Sequence, residues 1–272
     1  MCDACVMRRV AGSLGRRGML AAAAAAATVL GMGAQPAAAQ AIRSAPVSRV
    51  VDLTHTLRAD FPTFGGTPAF EMEQVFTLAR DGYNLNRFTY AEHVGTHFDA
   101  PIHFSANGAT VDRIPVESLV CPLVVLDLRA QAANAPDYQA TPEDIAAHEA
   151  RRGAIPAGAC VALNTGWDAR AGGAGFRNLG ADNVMRFPGF RPDVAPLLVA
   201  RNVAGVAVDT LSLDHGPSTS FAFHTQWLGA GRWGIECIAG LSALPATGAT
   251  LVAGAPKIAG GTGGHGRVIA LL

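Results

Sequence analysis

Three histidines and an aspartate crowd into the stretch His93-Val94-Gly95-Thr96-His97-Phe98-Asp99-Ala100-Pro101-Ile102-His103. Imidazole nitrogens with a carboxylate form a donor set suited to Zn, Mn or Fe. His93, His97, Asp99 and His103 share one parity, so an extended chain would turn all four to one face. A straight strand would hold the Cα atoms of His93 and His97 about 13 Å apart. With metal–nitrogen bonds of about 2 Å, two imidazoles barely meet on one ion over that span. The chain must therefore bend between them. Gly95 stands where the bend is needed, because glycine takes bent backbone geometries at little steric cost. Pro101 has no N–H to donate and would end or edge a strand there. A bound divalent ion lowers the pKa of its water and polarises a carbonyl. A neighbouring imidazole can then carry a proton to a leaving group. The competing reading is a polar loop whose histidines are satisfied by the fold.

The elements that must position this cluster are short. Apolar runs at residues 50–53, 123–126, 160–163 and 203–208 read as strands, each with Gly, Pro, Asp or Asn at or near its ends. Thr141-Pro142-Glu143-Asp144 reads as an N-cap, a proline at the first helical position and early acids, opening a helix that runs to Arg152 and stops at Gly153. Pro192-Asp193 opens a second helix to about Arg201, in which Pro196 is tolerable only in the first turn. Strands outnumber helices and the two are interspersed, which argues for an α/β domain with a mixed sheet. Gly172-Gly173 and the glycines from Gly260 to Gly264 read as surface loops or turns.

Of the 272 residues, half are apolar and 15% are charged, with 21 basic against 21 acidic side chains. That is globular composition with enough apolar surface for one good core. There is no basic stripe to grip nucleic acid. The first 40 residues are read apart from the fold. Arg16-Arg17 precede an Ala-rich apolar run from Met19 to Met32, followed by a cluster of small residues around Ala39. This is the order of a secretory signal, and the paired arginines point to the twin-arginine route. The expectation is residues 1–40 as a signal peptide, 41–272 as the mature domain, a periplasmic location and no membrane contact for the mature form. Cys2 and Cys5 fall in the leader. Cys121 and Cys160 sit in apolar runs and read as core residues, with Cys237 the third of an odd set that cannot all pair.

The motif itself carries a resemblance. His93-x-Gly95-Thr96-His97-x-Asp99-x-Pro101-x-His103 is similar to the signature of the cyclase family, which includes bacterial kynurenine formamidases and isatin hydrolases. Val51 to Thr54, Asn164-Thr165-Gly166-Trp167, Gly205 to Thr210 and Arg267 to Ala270 resemble further family segments. The resemblance implies a swivelling β/β/α fold, a homodimer or homotetramer, and one or two Mn or Zn ions. It implies that His93, His97 and Asp99 hold the first ion. His224 and Glu236, twelve residues apart, would join Asp99 at a second, or else bind substrate and orient water. It implies His103 as the proton donor and acceptor. Where formamidases carry a Trp-Pro-Gly-Asp-type stretch, this chain has Phe64-Gly65-Gly66-Thr67-Pro68, which lacks the indole.

The function implied is metal-dependent hydrolysis of a linear or cyclic amide-type C–N bond in a small aryl or cyclic substrate. Lactone hydrolysis or a cyclisation-dehydration would use the same site, and a periplasmic binder without turnover would use it differently. Phe64, Trp167 and Phe98 are candidate apolar walls, and His215 is a candidate substrate contact. Of the other histidines, His55 is read as structural, His148 as solvated on a charged helix and His265 as a surface residue. Asp209 either orients a ligand or ends a strand.

Overall fold

Alternation along short apolar strands gives this sheet a separate core on each face. The computed structural model describes residues 47–272. The expected leader, with Arg16, Arg17, Cys2 and Cys5, lies outside the described residues.

In chain order the strands are β1 (Val50–Asp52), β2 (Phe70–Phe76), β3 (Leu85–Tyr90), β4 (His97–Asp99), β5 (Val120–Asp127), β6 (Gln139–Ala140), β7 (Cys160–Asn164), β8 (Gly189–Phe190), β9 (Gly205–Val208), β10 (Trp233–Glu236), β11 (Ala249–Gly254), β12 (Gly263–His265) and β13 (Arg267–Leu271). The helices are α1 (Leu78–Asp81), α2 (Arg129–Asn134), α3 (Pro142–Arg152), α4 (Val194–Ala200) and α5 (Ala222–Gly229). Nine strands form one sheet in the order β1-β13-β11-β5-β7-β9-β10-β4-β12. The middle four, β5, β7, β9 and β10, are parallel, and the flanking pairs are antiparallel. The expected mixed α/β architecture is the one observed.

The parallel strands are buried on both sides, as their unbroken apolar sequences require. Val124, Leu126, Val161, Leu163, Val206 and Val208 face α3, α4 and α5, packing on Ile145, Leu198, Phe223 and Trp227. Leu123, Val125, Cys160, Ala162 and Ala207 face the other way, into a cluster that also takes Phe98 from β4 and Leu251, Val268 and Ala270 from β11 and β13. Strands far apart in the sheet order share that cluster, so the sheet curls around it. Each buried Leu or Val side chain contributes about 1.5–3 kcal/mol here. Cys121 and Cys160 are buried in it, as expected.

The expected helices are present. On α3 the Thr141 hydroxyl accepts from the Asp144 N–H at 3.2 Å, and the Asp144 carboxylate accepts from the Thr141 N–H at 2.9 Å. Gly153 caps the other end. Pro196 lies in the first turn of α4. One expectation for α3 is corrected: His148 is 5% exposed. It stands three residues after the buried Ile145, hence on the same helix face, and the charged neighbours belong to the opposite one. The Gly-rich stretch near the C-terminus is also corrected. Gly263 and Gly264 are buried and open β12, an edge strand of the main sheet.

β2 and β3 stand apart as a two-stranded antiparallel ribbon. Phe70 pairs with Tyr90 and Met72 with Phe88 on one face, and Met72, Phe88 and Tyr90 are exposed. Among the described residues no helix is long and apolar enough to cross a membrane.

Candidate metal centre

β4 is only three residues long, and its pleat divides them. Phe98 enters the core behind the strand, while His97 and Asp99 share the other face. On one side β10 places Glu236 opposite His97. On the other, β12 places Gly263 opposite Asp99. Strand alternation explains these two residues of the motif but not the others. His93 arrives by the bend at Gly95, whose φ of 64° is the left-handed geometry that glycine tolerates. The turn sets His93 Nδ1 2.8 Å from Asp99 Oδ1. His103 arrives by a 3₁₀ turn, Pro101–His103, which the proline opens. Its ring stacks on His93 at a centroid distance of 3.9 Å and an interplanar angle of 20°.

His224 comes from the first turn of α5. Its Nε2 lies 3.0 Å from Glu236 Oε1 and 3.5 Å from Asp99 Oδ2. His97 Nε2 lies 3.5 Å from Asp99 Oδ1 and 3.4 Å from Glu236 Oε2. The structure thus brings together all six residues that the motif and the resemblance single out: His93, His97, Asp99, His103, His224 and Glu236.

Whether these groups suit a cation is decided by what their other atoms do. His97 Nδ1 donates to the Gly95 carbonyl at 2.8 Å, which leaves Nε2 as the nitrogen facing the two carboxylates. His224 Nδ1 is 2.6 Å from Asp214 Oδ2, and Asp214 is itself held by the backbone N–H groups of Phe223 and His224. A metal-binding imidazole is oriented in this way, through its second nitrogen. His97 Nε2 and Asp99 Oδ2 are buried without a hydrogen-bond partner. Buried polar atoms without partners are costly, and a divalent cation would satisfy them together, in place of the protons that the carboxylates otherwise draw onto the imidazoles. The donor set therefore fits a metal ion.

The electrostatics point the same way. Burial alone would depress the His97 pKa, yet hydrogen bonding and charge from Asp99 and Glu236 push it up to about 10. Burial opposes the charged form of His224 too, and Asp214, Asp99 and Glu236 overcome it and raise its pKa well above the usual value. Burial would raise the Asp99 pKa, and His224, His93 and His97 instead hold it well below the ordinary carboxylate range. Two buried carboxylates thus draw positive charge into the cluster. His103 differs: burial holds its imidazole below the ordinary value, the charges of Asp99 and Glu236 notwithstanding. Its neutral form, with one N–H and one lone pair, is thereby favoured.

The cluster opens on a cavity of about 220 Å³ whose apolar lining includes Phe64, Phe104, Leu211 and Phe221. Phe64 packs on Phe221 and Phe187, with ring centroids 5.8 and 6.4 Å apart, so it is a wall of the cavity. Three other expected contacts lie elsewhere. Trp167 is 1% exposed, donates its indole N–H to the Phe176 carbonyl and packs in the cluster of Phe61, Phe176 and Phe187. Phe98 faces away from the cavity because it alternates with His97 and Asp99. His215 is half-buried on a turn and does not line the cavity.

Asp209 accepts from the Thr165 and Trp167 N–H groups and the Thr165 hydroxyl. It anchors the turn after β7 rather than a ligand, and burial raises its pKa to about 7. His55 is structural as read, packed on Phe61 and Phe176. His265 is half-buried on β12 opposite His97, not a free surface residue. The sequence reading passed over Asp214, Phe104 and Phe221. The aromatics flank motif residues but share no spacing with them. Asp214 precedes His224 by ten residues, without a local pattern to link the two.

Comparison with known proteins gives this geometry its family. The Cyclase family model, described as "Putative cyclase", matches residues 51–215. The isatin hydrolase of Roseibium aggregatum is 34% identical over 243 residues, spanning 82% of this chain and 91% of that protein. The kynurenine formamidase of Maricaulis maris is 28% identical, spanning 64% of this chain and 74% of that protein. A crystal structure of an isatin hydrolase bound to the product analogue thioisatinate aligns with a TM-score of 0.77 at 33% identity, covering 82% of this chain and 92% of that one. The chain belongs to the cyclase family.

Proposed function

We propose that the protein is a metal-dependent hydrolase that cleaves a linear or cyclic amide-type C–N bond of a small aryl or cyclic substrate. One observation carries this reading. Imidazole and carboxylate groups converge on one side of an aromatic-walled cavity, with His97 Nε2 and Asp99 Oδ2 buried and without a hydrogen-bond partner and the imidazole of His103 beside them. Relatives named for isatin and for a kynurenine formamide support the choice of bond, since both names denote an aryl nitrogen acylated in a ring or a chain.

His93, His97 and Asp99 hold a divalent ion, Mn or Zn, and His224 and Glu236 either complete a second site with Asp99 or orient substrate and water. A bound ion would lower the pKa of its water and polarise a carbonyl. Phe64, Phe104 and Phe221 hold an aromatic ring and exclude water from the reacting bond. His103 accepts the proton of the attacking water and returns it to the leaving nitrogen, for which a neutral imidazole is suited. The mature protein acts in the periplasm, after export of the folded chain through the leader with Arg16 and Arg17.

The test is turnover of N-formyl anilines, isatins, cyclic imides and lactones by metal-stripped protein before and after Mn or Zn is added. Activity on aryl amides that returns with metal is expected. Full activity of the metal-free protein, or exclusive turnover of lactones, overturns the reading. Replacement of Arg16 and Arg17 by Lys should leave precursor in the cytoplasm, and normal export of that variant would rule out the twin-arginine route.

A further inference from the structure

Two of the three histidines facing Asp99 have their orientation explained by Gly95 and Asp214. The third, His93, is held by a pair of residues that no part of the motif includes. His93 Nε2 lies 3.0 Å from the hydroxyl oxygen of Thr262, 169 residues downstream. That hydroxyl is bonded to Glu92 Oε2, and the Thr262 N–H donates to Glu92 Oε1 at 3.0 Å. The directions follow from the chemistry of each group. A carboxylate only accepts, so the single proton of the Thr262 hydroxyl is committed to Glu92. The hydroxyl oxygen is then left as an acceptor, and His93 Nε2 must donate to it. Nε2 therefore carries a proton, and Nδ1, the atom 2.8 Å from Asp99 Oδ1, is the one nitrogen the ring can offer to an ion.

The surroundings fix the ring as well as its proton. Gly263 follows Thr262 on β12, and a Cβ there would lie 2.6 Å from His93 Cε1 and 2.1 Å from the Phe98 carbonyl oxygen. A bare backbone is required for the ring to sit against the strand. Thr262 and Gly263 thus meet His93 at its far nitrogen and at the carbon between its two nitrogens.

We propose that Glu92 and Thr262 are positioning residues of the metal centre: acting through Thr262, Glu92 fixes His93 in its Nε2-protonated form and aims the Nδ1 lone pair where Asp99 offers its own. This rests on the reading of His93 as a metal ligand. It assigns a role to the Gly-rich segment before β13, and it makes His93 bind through Nδ1 while His97 and His224 present Nε2. Partners of this kind typically change metal affinity about 10- to 100-fold.

The experiment is Zn(II) titration of metal-free protein against a chromophoric chelator, paired with ¹⁵N NMR of the His93 ring in the Zn(II)-loaded protein. Thr262→Val is expected to weaken Zn(II) binding at least about 10-fold and to abolish the Nε2–H signature of His93. Thr262→Ser keeps the hydroxyl and restores both. Glu92→Ala, at a half-exposed side chain, weakens binding in the same direction and decides the matter if Thr262→Val fails to fold. Wild-type affinity in Thr262→Val or Glu92→Ala, or a wild-type His93 protonated on Nδ1, overturns the inference alone. A wild-type protein that takes up no Zn(II) overturns the metal reading and this inference with it.

Discussion

His103 and His93 are stacked imidazoles whose surroundings give them different tasks. His93 has both nitrogens engaged, one by Asp99 and one by Thr262. The His103 ring has no hydrogen-bonding partner among the described residues and lines the cavity. A proton carrier needs that freedom, whereas a ligand needs the reverse. His103→Ala is therefore expected to lower kcat by about 10²- to 10⁴-fold while metal content, measured by elemental analysis, stays at the wild-type level. Loss of metal from the variant would make His103 a ligand instead. At this scale the motif was legible because its ligands are local. Gly95 and Pro101 announce the bends that bring His93 and His103 to His97 and Asp99. Asp214, Thr262 and Glu92 were illegible because each acts on a histidine through tertiary contacts that leave no spacing to read.

At the scale of the element, α3 shows both what patterning reveals and where it misleads. Its N-terminus reads directly from Thr141 to Asp144, and the reciprocal bonds are present. Thr141→Ala should lower stability by about 1 kcal/mol, measured by chemical denaturation, with activity at saturating substrate unchanged. The buried face does not read so easily, because a helix end rich in Glu and Arg hides the one histidine that turns inward. Burial, reinforced by Arg151 and Arg152, lowers the pKa of His148 below its ordinary 6.5. The unfolded chain then binds a proton more readily than the folded one. Stability contributed by the neutral ring is whole above about pH 6.5 and is lost as the pH falls through the lowered folded value. His148→Leu removes that titration and an unpartnered buried nitrogen. Its stability should exceed that of the wild type by a margin that widens from pH 7 to pH 5, and a margin independent of pH would refute the assignment. Trp167 was misread for a related reason. Its segment looks like part of a site, but the indole bonds to Phe176 beneath a loop, and only the fold shows which side of the turn it takes.

For the whole molecule, the sheet order was beyond the reach of sequence, although the strand runs were not. Parallel neighbours β5, β7 and β9 could be guessed from continuous apolar runs, whereas the insertion of β4 between β10 and β12 joins segments that share no pattern. The ribbon of β2 and β3 is a second feature of this scale. A two-stranded ribbon is marginal alone in water, and its outward face carries Met72, Phe88 and Tyr90 at 61, 55 and 40% exposure. Such a face is suited to a second copy of the chain, in keeping with the oligomer that the family resemblance implies. The double variant Met72→Glu, Phe88→Glu should sediment as a smaller species than the wild type at equal concentration. Identical sedimentation would exclude this face from the interface.

The insertion of β4 also orders events in time. The strand that bears His97 and Asp99 is made early, yet both of its neighbours, β10 and β12, are made late, and His93 waits for a threonine 169 residues behind it. A growing chain can present His93, His97 and Asp99 from its first half, but not the cluster that Glu236 and Thr262 complete. Closing contacts this distant in sequence is also slow. Closure of the full cluster thus waits for β10 and β12, and its contacts report that synthesis has passed both strands.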